Sequence, residues 1–227
     1  KDTTPAQIVS VFENLKQASP KDHFTVGIVD DVTMTSLPLL PEIESAAEGT
    51  VECKFYGLGS DGTVGANKNS IKIIGDNTDM YAQGYFAYDS KKSGGLTVSH
   101  LRFGKSPIRS TYLVKQADFV ACSVPAYIDQ YDMLSGLKKG GTFLLNSIWS
   151  AEETASRLPN SMKRYLAEND IKFYIINATE IGAKIGLGNR TNSIMQSAFF
   201  YLSQVIDYNQ AVDYIKAAIK KTYGKKG

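Results

Sequence analysis

The feature that most limits how this chain folds is a strand-like run, Val51–Tyr56, that passes straight into Gly57-Leu58-Gly59-Ser60-Asp61-Gly62 and then into a helix-like stretch, Thr63–Ile74. A Gly-x-Gly-x-x-Gly spacing carries little weight alone. Set between a strand and a helix, it reads as the first turn of a βαβ unit. Glycines there remove Cβ atoms, so a ligand phosphate can approach the backbone. The helix start adds unpaired N–H groups and the positive end of its dipole. Gly59 and Gly62, with the hydroxyls of Ser60 and Thr63, form that candidate cradle; a tight turn that binds nothing would use the same glycines. Asp61 is out of place beside a phosphate, so it is expected to cap the helix or to accept from a ribose or amide group.

The rest of the chain extends this pattern. Strands are expected at Tyr85–Tyr88, Thr97–Phe103, Phe119–Val124, Thr142–Leu145 and Lys172–Ile176, the last three as buried parallel strands. Helices are expected at Ala126–Leu137, closed by Lys138-Lys139-Gly140-Gly141, and at Ala151–Leu158, Met162–Glu168, Thr191–Leu202 and Ala211–Tyr223. Alternating strands and helices predict a Rossmann-like α/β domain, a mostly parallel sheet covered by helices on both faces, over residues 46–227. Residues 1–45 read as an N-terminal extension: an amphipathic helix at Ala6–Leu15 ended by Pro20, a strand at Phe24–Val29, and a proline-bounded segment, Ser36–Pro41.

Composition excludes several classes. Hydrophobic residues make up 43% and charged residues 21%, enough apolar surface for a core, so a disordered chain is ruled out. A net charge of +2 gives no support to nucleic-acid binding. Two cysteines, Cys53 and Cys122, cannot supply a zinc site or an iron–sulfur cluster; lying in apolar runs, they read as buried reduced thiols, which suits the cytoplasm. No run approaches the ~18 apolar residues of a spanning helix. The start at Lys1, without Met, reads as a processed or excised chain.

Other residues are candidates for chemistry. Asp89 lies beyond the roughly 20-residue position at which an acidic group would bind a neutral ribose. It leads into Ser90-Lys91-Lys92-Ser93-Gly94-Gly95, whose two lysines and small residues suit a ribose phosphate, as in coenzyme A or NADP, or simply form a solvated turn. A second glycine cluster, Gly182…Gly186-Leu187-Gly188-Asn189-Arg190-Thr191-Asn192, is expected at the same sheet edge as Gly57–Gly62. Asn189 and Asn192 then either bind the ligand or, for Asn192, cap the following helix. Asn146, at a strand end, has the same two readings. His100 is the one candidate acid/base, the proton donor a dehydrogenase would need, but with no visible catalytic partner it reads rather as structural or as touching another domain. Arg102 holds a phosphate, a carboxylate or an intrachain Asp. The basic tail around Lys220 and Lys221 reads as a solvated helix end. No catalytic residue and no metal ligand is expected.

Several longer runs carry a resemblance. Gly57–Lys68, Tyr88–Gly104, Pro107–Ser110 and Gly140–Ser147 resemble the pyruvate:ferredoxin (flavodoxin) oxidoreductase family, and the likeness spans about Asp30 to Phe200. The resemblance implies an enzyme that decarboxylates pyruvate on thiamine diphosphate with Mg, passes electrons through [4Fe–4S] clusters to ferredoxin or flavodoxin, and transfers the acetyl group to coenzyme A. It implies that this chain is only the gamma-type, coenzyme A-associated domain of a larger polypeptide, a homodimer, with the thiamine and cluster sites elsewhere and no turnover by itself. By that likeness coenzyme A contacts fall on Asp61, Gly62, Lys92 and Asn189, and further on Ser60, Thr63 and Asn192. The alternatives are an NADP-dependent dehydrogenase domain and a structural interface domain with no ligand.

Overall fold

The computed structural model describes residues 3–29, 32–89, 94–188 and 190–223. It divides into two units, each taken by itself: unit 1, Lys1–Ala46 with Arg109–Lys115, and unit 2, Ala47–Ile108 with Gln116–Gly227.

Unit 2 carries the sheet. Its strands are β1 (Val51–Leu58), β2 (Tyr81–Tyr88), β3 (Leu96–Gly104), β4 (Ala117–Cys122), β5 (Leu137–Asn146) and β6 (Lys172–Ile176), in the order β2-β3-β1-β4-β5-β6. β1, β4, β5 and β6 pair in parallel, whereas β3 runs antiparallel to both β1 and β2. The sheet is therefore mostly parallel, as the alternating pattern predicts, but β2–β3 is a hairpin rather than a βαβ unit. The helices of unit 2 are α2 (Thr63–Asn77), α3 (Ala151–Arg157), α4 (Asn160–Glu168), α5 (Ala178–Lys184), α6 (Asn192–Ser203) and α7 (Tyr208–Tyr223). On one sheet face α2, α6 and α7 close a core around Phe55, Ile74, Leu101, Phe119 and Phe199. There Phe199 meets Phe55 and Phe119 edge to face at 5.1 and 5.2 Å. Val120, Cys122, Phe143 and Leu145 alternate onto the opposite face and are also buried.

Three expectations fail in this unit. Ala126–Leu137 is not a helix. A 3₁₀ turn, Pro125–Asp129, gives way to turns that bury Met133 and Leu134, and β5 begins at Leu137. Lys138-Lys139-Gly140-Gly141 thus lies in a strand. Lys138 bridges Asp118 at 3.1 Å, beside the buried Arg102–Glu52 pair at 2.6 Å, and the glycines sit where the β4–β5 register shifts. β6 is an edge strand with half-exposed side chains, not a buried one. The helix α5 was not anticipated.

In unit 1, α1 (Pro5–Leu15) begins at a capping box of Thr4 and Gln7 and ends at Leu15, before Pro20 is reached. The expected strand Phe24–Val29 reduces to one isolated bridge, Thr25 to Ser36, because Gly27 turns at φ +80°. Among the described residues no helix is long and apolar enough to cross a membrane.

Candidate functional site

The glycine turn is built as a locked loop. The carboxylate of Asp61 accepts from Leu58 N–H at 2.8 Å, from Thr63 N–H at 2.7 Å and from the Thr63 hydroxyl at 2.8 Å. Its first role is therefore to staple the loop and cap α2, one of the roles expected from its sequence position. A Cβ at Gly57 would lie 2.7 Å from the Thr63 side chain, so only glycine lets the helix start pack on β1. Gly62 turns at φ +90° into α2. Ser60 sits at φ +79°, a left-handed conformation that costs a non-glycine residue on the order of 1–3 kcal/mol.

The loop is tied to its surroundings on both sides. Gly59 N–H donates to Gly95 O at 2.8 Å, which joins it to the turn end of the β2–β3 hairpin. On the other side, Asn192 at the start of α6 stands against Gly62, where a Cβ would come within 3.0 Å of its amide nitrogen. The second glycine cluster therefore reaches the same sheet edge, and Asn192 is the first helical residue of α6; the N-cap is Thr191. Gln196, one turn on, donates to Ala66 O at 3.0 Å and to Ser70 Oγ at 2.9 Å, so α6 fixes α2 by polar bonds.

Between the loop and the hairpin lies a cleft of about 650 Å³, walled by Gly59, Ser60, Asp61, Gly62, Val64 and Gly65 on one side and by Tyr88, Asp89, Leu96 and Thr97 on the other. It opens at the carboxyl end of β1, where ligands of open α/β sheets bind. The first turn of a helix leaves N–H groups without intrahelical partners. Here Thr63 N–H goes to Asp61 and Ala66 N–H to Gly62 O, while the amides of Ser60, Gly62, Val64 and Gly65 have no partner among the described residues. All four line the cleft, and a Cβ at Gly65 would meet nothing within 4 Å. Of the hairpin wall only Asp89 was singled out from the sequence; Tyr88, Leu96, Thr97 and Gly65 were not. Gly65 continues the glycine spacing past Gly62 and was the available signal.

Lys91, Lys92 and Asn189 lie outside the described residues. Other candidates are structural. Asn146 is 3% exposed; it donates to Ser123 O and accepts from Ala178 N–H, each at 3.0 Å, joining the ends of β4 and β5 to α5. Arg102 pairs with the carboxylate of Glu52 and also donates to Gln83 at 3.0 Å. His100 is buried in β3, between the facing residues Lys54 and Tyr85. Cys53 and Cys122 are free and buried. Burial pushes the Cys122 thiol from 9.0 up to about 12 and the Cys53 thiol well above its usual range. Neither is a nucleophile at neutral pH.

An open, mostly parallel sheet with a glycine-walled cleft at the carboxyl end of its first strand defines unit 2 as a Rossmann-like α/β domain. The sequence matches the family described as pyruvate ferredoxin/flavodoxin oxidoreductase over residues 52–227, and the chain belongs to that family. It is 61% identical over 227 residues to a pyruvate:ferredoxin oxidoreductase of Moorella thermoacetica, all of this chain matching 19% of that protein. The chain thus spans about a fifth of the curated relatives it matches. In fold it is similar to the gamma subunit of a keto/oxoacid ferredoxin oxidoreductase from Geobacter sulfurreducens, with TM-score 0.59, 18% identity, and 77% of this chain and 88% of that one covered. It is also similar to a 2-oxoglutarate:ferredoxin oxidoreductase from Magnetococcus marinus solved with 2-oxoglutarate, coenzyme A and succinyl-CoA bound, with TM-score 0.56, 13% identity, and 80% and 28% covered.

Proposed function

We propose that this chain is the coenzyme A-docking domain of a larger pyruvate:ferredoxin (flavodoxin) oxidoreductase, a cytoplasmic homodimer that converts pyruvate to acetyl-CoA and CO2 and passes the electrons to ferredoxin or flavodoxin. The observation that carries the reading is the cleft of about 650 Å³ lined by Ser60, Gly62, Val64 and Gly65, whose amides have no partner among the described residues. That volume suits an organic ligand, and main-chain amides at a helix start suit its phosphates. The bound coenzyme A of the Magnetococcus relative supports the same ligand class.

The residues divide the work. Gly59 and Gly62 give phosphates access to the backbone, Ser60 and Thr63 add hydroxyls, and Asp61 holds the loop in shape. Lys92 supplies the cation for the 3′-phosphate, and Asn189 and Asn192 hydrogen-bond the rest of the nucleotide. The domain's part in catalysis is positional: it holds the thiol arm toward a thioester-forming centre elsewhere in the polypeptide. Thiamine diphosphate, Mg and [4Fe–4S] clusters belong to regions outside this chain. A cluster needs about four thiolates, and this sequence has two cysteines, both buried. The chain by itself is then expected to show no pyruvate oxidation.

Titration calorimetry on the full-length enzyme tests the proposal. Lys92→Glu should weaken coenzyme A binding by about 1–3 kcal/mol, as for loss of a charge-assisted contact, and leave dephospho-coenzyme A unaffected. Equal loss for both ligands removes Lys92 from the phosphate site. Binding of NADPH without coenzyme A would assign a dehydrogenase domain, and silence with both would leave an interface domain.

A further inference from the structure

α1 is turned inside out. Ile8, Phe12 and Leu15 recur at helical spacing, and such an apolar stripe ordinarily faces a core. In this helix the buried stripe is instead Ala6, Ser10 and Asn14. It is seated by polar bonds: Ser10 Oγ donates to Pro38 O at 3.0 Å, and Asn14 donates to Lys21 O at 2.9 Å and accepts from Lys21 N–H at 3.0 Å. Ile8, Phe12 and Leu15 are left 48%, 59% and 62% exposed, and Val29 and Val32 of the same unit are 81% and 86% exposed. Scattered exposed apolar side chains are ordinary, but an ordered stripe with its polar side buried marks an interaction surface.

The partner class follows from three observations. The family match begins at residue 52, so it leaves out α1 and the rest of the Lys1–Ala46 part of unit 1. The Geobacter gamma subunit, 88% of whose length is covered, accounts for 77% of this chain, about the share that residues 52–227 make up. The whole chain, unit 1 included, aligns at 61% identity with a protein of which it is 19%. Unit 1 accordingly goes with the body being embedded in a much longer polypeptide. A membrane is a poor fit, because interfacial helices are rich in Lys and Arg and Pro5–Leu15 contains neither.

We infer that the outward stripe of α1, formed by Ile8, Phe12 and Leu15, is the surface by which unit 1 docks on an apolar region of the same polypeptide lying outside these 227 residues. This rests on the reading of the chain as part of a longer enzyme and adds the surface that joins it to the rest.

The test uses the full-length enzyme with p-benzoylphenylalanine in place of Phe12. Photolysis should give a cross-linked peptide from outside residues 1–227. A cross-link into residues 47–227, a cross-link into residues 1–46 of a second copy, or no cross-link despite full incorporation overturns the inference. A second measurement uses the double variant Phe12→Ser, Leu15→Ser. Both side chains are exposed within the chain, so a solvated stripe predicts no change, whereas a docked one predicts proteolysis within residues 1–46 about tenfold faster. An unchanged rate overturns the docking. If the wild-type enzyme binds no coenzyme A while the cross-link forms, the ligand reading fails and the docking surface stands.

Discussion

α1 and α6 have 11 and 12 residues, and each carries aromatic and aliphatic side chains a turn apart. In α6 those side chains, Met195, Phe199 and Phe200, are buried in the core, Phe199 against Phe55 of β1 and Phe119 of β4, while the polar Gln196 bonds to Ala66 and Ser70 of α2 and Asn192 stands against Gly62. In α1 the polar and small side chains are buried and Phe12 faces outward. The contrast teaches that hydrophobic spacing reports a face that needs a cover. It does not report whether the cover comes from the same unit. Unit 2 completes its own core; unit 1 keeps an apolar stripe in reserve.

The comparison can be broken most sharply at Phe199, which is 1% exposed and packs on both Phe55 and Phe119. Phe199→Ala should cost about 3–5 kcal/mol in urea unfolding of unit 2. A loss below about 1 kcal/mol would mean that α6 does not close that core.

The next effect is expected at the loop that α6 supports. Asp61→Ala removes the acceptor of three hydrogen bonds. It should cost about 1–3 kcal/mol of stability and weaken coenzyme A binding to the full-length enzyme, with dephospho-coenzyme A weakened equally. Equal affinity for the variant and the wild type would show that the staple does not shape the cleft.

Alkaline titration probes the closed core of unit 2 from another side. Burial keeps the Cys122 thiol neutral up to about 12 against an ordinary 9.0. The folded state favours the protonated thiol, so its contribution to stability is fully present below pH 9 and lost as pH rises from 9 to about 12. At pH 8 iodoacetamide should alkylate Cys53 and Cys122 about a hundredfold more slowly than in urea. Rapid labelling of the folded chain would show that the sheet opens.

The smallest effect belongs to unit 1. Phe12→Ala should change the unfolding free energy of the 227-residue chain by no more than about 0.5 kcal/mol, the range for exposed positions. A larger loss would place Phe12 in a core of this chain and remove the contrast with Phe199.

Much of unit 2 was legible because its signals are local. The run from Val51 through Gly62 to Thr63 sets strand, turn and helix within a few residues, and the apolar stretch at Phe119 has the even burial of a central strand. The failures share one cause. Ala126–Leu137 offers apolar residues at roughly helical intervals, but Tyr127, Ile128, Met133 and Leu134 are buried from a 3₁₀ turn and the turns that follow it. Lys138 and Lys139 mimic the basic last turn of a helix, yet Lys138 is drawn into a strand by Asp118, twenty residues away in sequence. Lys172–Ile176 looks like a central strand because its composition cannot record that, among the described residues, no further strand pairs beyond it.

The cleft divides the same way. Its glycine side could be read from residues 57–62, because backbone access and helix-start amides depend on neighbours in sequence. The hairpin wall at Tyr88 and Thr97, and the placement of Asn192 against Gly62, depend on how β3 pairs with β1 and how α6 packs on α2. Those contacts join residues far apart in the chain, and only tertiary packing brings them together. The sequence by itself determined the α/β class, the locked glycine turn and the buried thiols, through rules that act over a few residues. The antiparallel hairpin, the edge position of β6 and the outward face of α1 were decided by long-range pairing and burial, which no local pattern encodes.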